Sequence, residues 1–296
     1  MSTLQKKIDF ALVLRVRNAN PNGDPLNGNR PRTDYSGFGE ITDVCLKRKL
    51  RDRLQESGHA IFVQSDDRKV DGETSLRNRA ESETNGLGKD AWNPKKPKKE
   101  NDPKESKRDE TARLACEKWF DVRAFGQVFA FGKDGDASGV SIPVRGPVTV
   151  QSAFSKEIVG VTSTQITKSV SGEGDGNKRG ADTMGMKHRV DKGIYECYGS
   201  INPQLAERTG FSDADAEVIK AILPKLFEND ASSARPDGSM QVLSVVWWRH
   251  NCKAGQYSAA KVHDSLRDLL DADGSFDQAA LCKALDGLEP DIIHGF

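Results

Sequence analysis

The sequence lacks an excess of either charge: 44 Lys and Arg stand against 44 Asp and Glu in 296 residues. That balance excludes a polycationic coat for nucleic acid, but it permits a local basic groove, because opposite charges can segregate on a folded surface. Long apolar runs are missing as well. Nothing approaches the roughly 18 residues of a membrane span, so no membrane partner is expected. The first ten residues, MSTLQKKIDF, hold no apolar stretch ahead of a small-residue cleavage site and do not read as a secretory signal. Cysteine is scarce and scattered (Cys45, Cys116, Cys197, Cys252 and Cys282), with no CxxC pair. This excludes a disulfide framework or a zinc cluster and suits a reducing, cytoplasmic setting. HExxH, GxSxG and internal repeats are absent too. What is present is 36% hydrophobic and 30% charged residues, enough for a core in one large elaborated domain or two small ones.

Hydrophobic periodicity places the elements. Ile8, Phe10, Leu12, Leu14 and Val16 alternate and predict a strand over 8–17. The Asn, Gly and Pro of NANPNGDPLNGNRP predict turns. A helix is expected from Thr42, its N-cap, to Glu56, with Gly58 just past its end. AIFVQ (60–64) reads as a short strand, and 65–108 as a solvated, charged insertion. A helix follows from about Asp109 to Trp119. In SIPVRGPVTVQ, Ile142, Val144, Val148 and Val150 share one side of a strand pattern. Residues 160–187, rich in Ser, Thr, Gly and Lys, predict a protruding flexible loop. Strands are expected at HRVDKGIYECYGS and MQVLSVVWWRH, and helices from Ser212 or Asp213 to Glu228, broken at Pro224, and from Ser258 to Leu270. This order is compatible with a ferredoxin-like β-α-β-β-α-β core carrying insertions.

One local segment carries chemistry. In TDVCLKRKLRDRL, Leu46, Leu50 and Leu54 form an apolar stripe, Lys47, Arg48 and Arg51 occupy the adjoining arc, and Lys49 and Arg53 flank the opposite side. A packed helix with cations beside its buried stripe can hold a phosphate backbone; an ordinary solvated helix face has the same composition. Met184 and Met186, beside Lys187, His188 and Arg189, either wedge between bases or pack locally. Other motifs fail on inspection. GEGDGNKRG has Asn177 where a phosphate loop needs glycine, DGDASG has Arg145 at the twelfth position of a calcium loop, and His250 with Cys252 makes two ligands of a metal site at most. Asp24, Asp34 and Asp43 read as turn and cap residues. At least one of Trp247 and Trp248 belongs to the core, as do Phe120, Phe125, Phe129 and Phe131.

Four ordered stretches, NANPNGDPLNGNRPRTD, TDVCLKRKLRD, FDVRAFGQVFAFG and VRGPVTVQSAFS, resemble the CRISPR-associated backbone subunit of type I-C Cascade, the seventh Cas family of the repeat-associated RNA-binding superfamily. The resemblance implies an α+β, hand-shaped single domain. Its RNA-recognition-motif-like (ferredoxin-like) palm would span about 8–64, 119–154 and 190–296, with a finger insertion at about 65–118 and a thumb at about 155–189. It also implies a non-catalytic protein without cofactor or metal. Copies would stack along a CRISPR RNA, leave its bases free to pair with a target DNA strand, and join other Cascade subunits of the fifth and eighth Cas families and a small subunit. A guide binder of this kind grips phosphate and sugar without reading bases. The residues expected to do so are Lys47, Arg48 and Arg51, then Arg17, Arg123, Arg145 and Gln151 on the palm, with Lys168 as phosphate partner and Met184 and Met186 as wedges on the thumb. Two rivals remain: a metal-dependent RNA endonuclease using Asp34 or Asp43, and a cytosolic interaction domain that binds no nucleic acid.

Overall fold

A computed structural model describes residues 2–92, 107–131, 140–170 and 184–296. Its spine is β1 (Ile8–Ala19). The alternation read in the sequence is real, with Ile8, Phe10, Leu12, Leu14 and Val16 inaccessible on one face. Asp9, Ala11 and Val13 on the other face are equally buried, so most of β1 is covered on both sides. After β1 come a two-residue ribbon, β2 (Gly23–Asp24) and β3 (Arg30–Pro31), then β4 (Phe38–Ile41) and α1 (Asp43–Glu56). Thr42 caps α1 by accepting the Cys45 N–H, as the sequence predicts. The chain continues through α2 (Leu76–Glu81), α3 (Lys107–Lys118), α4 (Phe120–Phe125), β5 (Gly126–Phe131), β6 (Val140–Arg145), β7 (Val148–Val150), β8 (Ala153–Ile158) and β9 (Val161–Thr167). It ends with β10 (Met184–Ile201), α5 (Pro203–Thr209), α6 (Asp213–Ile222), β11 (Met240–Arg249), α7 (Ala259–Arg267), α8 (Gln278–Lys283) and β12 (Asp291–His294).

The main sheet runs β12-β11-β1-β10-β8-β4, with β7 and β9 also paired to β10. β1 is antiparallel to both neighbours, Leu12 standing opposite Cys197 on β10 and Val245 on β11. Close approach requires glycine at 199, where a Cβ would lie 2.1 Å from the Phe10 ring. On one face of the sheet, Leu46, Leu50 and Leu54 of α1 and Ala216, Ile219 and Ile222 of α6 pack against the even-numbered side chains of β1. On the other, Val262 and Leu266 of α7 and Leu281 of α8 cover Ala11, Val13, Tyr198 and Trp248. Both tryptophans of β11 are therefore core. Each buried leucine or valine contributes about 1.5–3 kcal/mol, which gives the sheet its rigidity.

Four expectations need correction. AIFVQ is not a strand: the Phe62 and Val63 N–H groups donate to the Asp121 carboxylate at 2.7 and 3.0 Å, where a strand neighbour would otherwise accept them. The insertion is not wholly solvated. Ala80 and Trp92 join Phe62, Ala115, Cys116, Trp119, Val122, Phe129 and Ile142 in a second core, while 93–106 lie outside the described residues. SIPVRGPVTVQ is two strands in different sheets, β6 on β5 and β7 on β10. Period-two alternation carries straight across the Gly146–Pro147 break and hides it. Finally, 160–187 is no bare loop: β9 pairs with the first half of β10 from Met184↔Thr167 to Val190↔Val161, and 171–183 lie outside the described residues. Neither the calcium-loop nor the phosphate-loop sequence falls within the described residues.

Candidate nucleic-acid interface

At about 100° per residue, the leucine stripe of α1 leaves two flanks, and the structure gives them different neighbours. Cys45, Arg48, Lys49 and Asp52 line an open cleft of about 610 Å³ whose other walls include Asn22, Pro25, Arg32, Ser65, Asp67, Arg68, Asp230 and Arg235. Five cations (Arg32, Arg48, Lys49, Arg68 and Arg235) meet three carboxylates there, Asp52, Asp67 and Asp230. Arg48 is held by Asp52 at 2.9 Å and by the Val63 carbonyl at 2.6 Å, yet its buried Nη2 has no acceptor. Asp230 accepts from both Lys49 and Arg235. Burial pulls the Lys49 pKa down against the charge of Asp230. Burial also pushes the Cys45 thiol up, so it is a neutral side chain and no nucleophile.

The expected track Lys47–Arg48–Arg51 is divided by this geometry. Lys47 lies on the other flank, paired with Asp43 at 2.9 Å; the Asp43 N–H donates to Ser152, next to exposed Gln151. Arg51 is only 14% exposed and bonds Asp121 at 3.0 Å while stacking over Phe125. It neutralises the carboxylate that organises Phe62 and Val63, and is a structural cation. Arg123 is engaged likewise: it donates two hydrogen bonds to the Asp215 carboxylate at 2.7 and 3.1 Å and a third to the Cys116 carbonyl, locking α4 to the capping box of α6. Arg17 is exposed, but odd-numbered positions of β1 face away from α1. Arg145 is exposed at the end of β6. Sequence reasoning missed Arg32, Arg68 and Arg235, which reach the cleft from three separate loops and leave no shared periodicity to detect.

The β9–β10 hairpin has two unlike faces. Met184 and Met186, 66% and 55% exposed, alternate with His188 and stand beside Gln165 and Ser163. Gln165 donates to the Met184 sulfur, and buried His188 bonds the Ser163 hydroxyl at 2.8 Å, tethering the base of the hairpin. Lys187, Arg189 and half-exposed Ile166 occupy the opposite face. The methionines and the cations beside them in sequence therefore face different surroundings. Lys168 is exposed just beyond β9.

The carboxylates proposed for metal chemistry have local work. Asp34 accepts the Ser36 and Phe38 N–H groups at 2.9 Å, and Asp43 accepts from Lys47 in the first turn of α1. His250 is buried against Asp9 at 2.8 Å, away from exposed Cys252. Among the described residues no three His, Cys, Asp or Glu side chains gather as a metal site, and no helix is long and apolar enough to cross a membrane.

Comparisons with known proteins complete the picture. Two chains of solved structures titled "CRISPR RNA-guided surveillance complex", one of them pre-nicking, superpose with TM-scores of 0.49 and 0.48 at 16% and 15% identity. They cover 94% and 97% of this chain and 87% and 88% of theirs. A protein of Haloferax volcanii described as CRISPR-associated protein Cas7 is 32% identical over 245 residues, 79% of this chain and 67% of that protein. The family profile described as CRISPR-associated protein Cas7 matches residues 6–278, and the chain belongs to that family.

Proposed function

We propose that this chain is a non-catalytic backbone subunit that binds a CRISPR RNA in a type I-C Cascade-like surveillance complex. Multiple copies stack along the guide beside subunits of the fifth and eighth Cas families and a small subunit. The guide's bases are left free to pair with target DNA, and the complex works in the cytoplasm without cofactor. The observation that carries the reading is the cleft beside α1, in a member of the Cas7 family, where cations outnumber carboxylates among the lining side chains. Such a site suits sequence-independent phosphate contact. Arg48 is its α1 contact, Lys47 acts from the other flank of α1, Gln151 and Arg145 are outlying contacts, and Met184, Met186 and Lys168 act from the hairpin. Asp34 and Asp43, engaged in a turn and a helix start, favour this reading over the nuclease.

A ferredoxin-like palm is supported by strand order. Read as four strands, β11-β1-β10-β7/β8 is the order 4-1-3-2, with α1 after the first strand and α5 and α6 after the third. Finger and thumb are then the 65–118 insertion, to which β5 and β6 attach through the second core, and the 155–189 hairpin.

The test is purification of the full chain from a host transcribing a CRISPR array. Wild-type protein should retain small RNA of defined length. Lys47→Ala with Arg48→Ala should lose most of it at moderate salt, while its melting curve stays within a few degrees of wild type. Protein free of RNA, or a double variant that keeps it, would refute the reading.

A further inference from the structure

α7 and α8 cover only part of the second face of the sheet. Beyond Val13 the odd-numbered side chains of β1 are Arg15 and Arg17, and their partners across the ladder are Ile194 and Lys192 on β10. Phe154, Lys156 and Ile158 of β8 continue the same surface, since Phe154 stands opposite Glu196 on β10 and Glu40 on β4. An open hollow of about 540 Å³ lies here, against the 272–273 loop.

The chemistry of this face is cationic and apolar together. Among the described residues no ion pair joins Arg15, Arg17, Lys156 or Lys192 to a carboxylate. Arg15 donates to the Gln241 side chain and Lys156 to the Arg267 carbonyl. The carboxylates nearby are mostly engaged: Glu196 by Tyr198 and Arg267, Asp191 by Thr162 and Arg189, and Asp273 by Ser275, which leaves Glu40 and Glu157. Phe154 is 42% and Ile158 66% exposed on the pleated surface that also carries those cations, with Glu196 and Glu40 directly across the ladder from Phe154. An exposed aromatic ring on the same strand platform as cations without a carboxylate partner is an arrangement that holds single-stranded nucleic acid, bases stacked and phosphates paired.

We infer that the uncovered half of the second sheet face binds single-stranded DNA, on a surface separate from the cleft beside α1. The two surfaces lie on opposite faces of one sheet, so one strand segment cannot fill both without passing round its end. The apolar floor of Phe154, Ile158 and Ile194 offers little to a 2′-hydroxyl, which favours DNA over RNA. That a strand binds here follows from this face alone. That it is the DNA strand displaced when a guide pairs with its target rests on the function proposed above.

The experiment uses the full chain with whatever RNA it carries, and a fluorescein-labelled thymidine 20-mer unrelated to any guide, followed by anisotropy. Wild-type protein should bind it. Arg17→Glu with Lys192→Glu should weaken binding by about tenfold or more and flatten the log–log salt dependence by about 0.7 per lost phosphate contact, with the RNA content unchanged. Arg17→Gln with Lys192→Gln should do the same more mildly, and Phe154→Ala should cost about fivefold or more through lost stacking. The inference falls if wild type ignores the oligonucleotide, if charge reversal leaves binding intact, or if oligouridine binds and oligothymidine does not. It also falls if RNA and oligonucleotide are lost together, or if the charge reversal disrupts self-association instead. Should the protein carry no RNA while oligonucleotide binding still depends on Arg17 and Lys192, the guide-binding reading fails and this surface stands.

Discussion

The two halves of β10 share a strand and an extended backbone geometry, but they do opposite work. From Tyr195 to Ile201 the strand lies beside β1, with Tyr195, Cys197 and Tyr198 buried. From Met184 to Arg189 it pairs only with β9, and most of its side chains face water. A residue in the inner half contributes mainly to stability. One in the outer half can contribute mainly to what the protein touches, because removing it leaves no cavity and no unmet buried group.

The sharpest way to break this contrast is at an ion pair in the rigid part. Asp121→Ala should destabilise the protein by about 3–5 kcal/mol, since it strands the Arg51 cation. It also frees the Phe62 and Val63 N–H groups. Urea unfolding would show a large fall in midpoint, and an unchanged midpoint would mean that α1 does not depend on that carboxylate.

A smaller effect comes from acid. Burial lowers the His263 pKa from 6.5, more than the nearby Asp9 charge raises it. The unfolded chain therefore takes up this proton first. The stability due to neutral His263 is complete above about pH 6.5 and is lost as pH falls towards its depressed folded value. Asp9 follows at lower pH. Burial alone would raise its carboxyl, but hydrogen bonds from His250, Lys7 and Ser200 hold it below 3.8, so its contribution is lost only as pH falls beneath that. Melting temperature should thus decline in two stages on acidification, and His263→Gln should flatten the first.

The smallest effect belongs to the outer half of β10. Met184→Ser with Met186→Ser should move stability by less than about 0.5 kcal/mol per site. RNA retention, measured on the same preparation, should still fall. A large loss of stability would show that the methionines pack as core.

Much of the inner part was legible. The alternation of β1, the leucine stripe and Thr42 cap of α1, the Ser212 start of α6 and the apolar run of β11 all lie where local periodicity and capping chemistry put them, because burial acts on neighbours in sequence. β4, β8, α5, α8 and β12 were not read at all; each is short, and its identity depends on a partner distant in the chain. The cationic site was legible only in part. Periodicity found the α1 cations, but which of them meets a carboxylate was set by Asp121, Asp52 and Asp230, two of which lie far from α1 in sequence.

By itself, the sequence determined the family, the central strands, the amphipathic α1 and the presence of many cations within a neutral chain. Only the tertiary structure decided that Arg51 and Arg123 are internal, that Arg48 opens onto a cleft, and that Arg17 faces the opposite side of the sheet. The physical reason is range. Hydrophobic periodicity is written over a few consecutive residues, whereas the neighbour that neutralises a charge or leaves it open is chosen when distant segments of the chain meet.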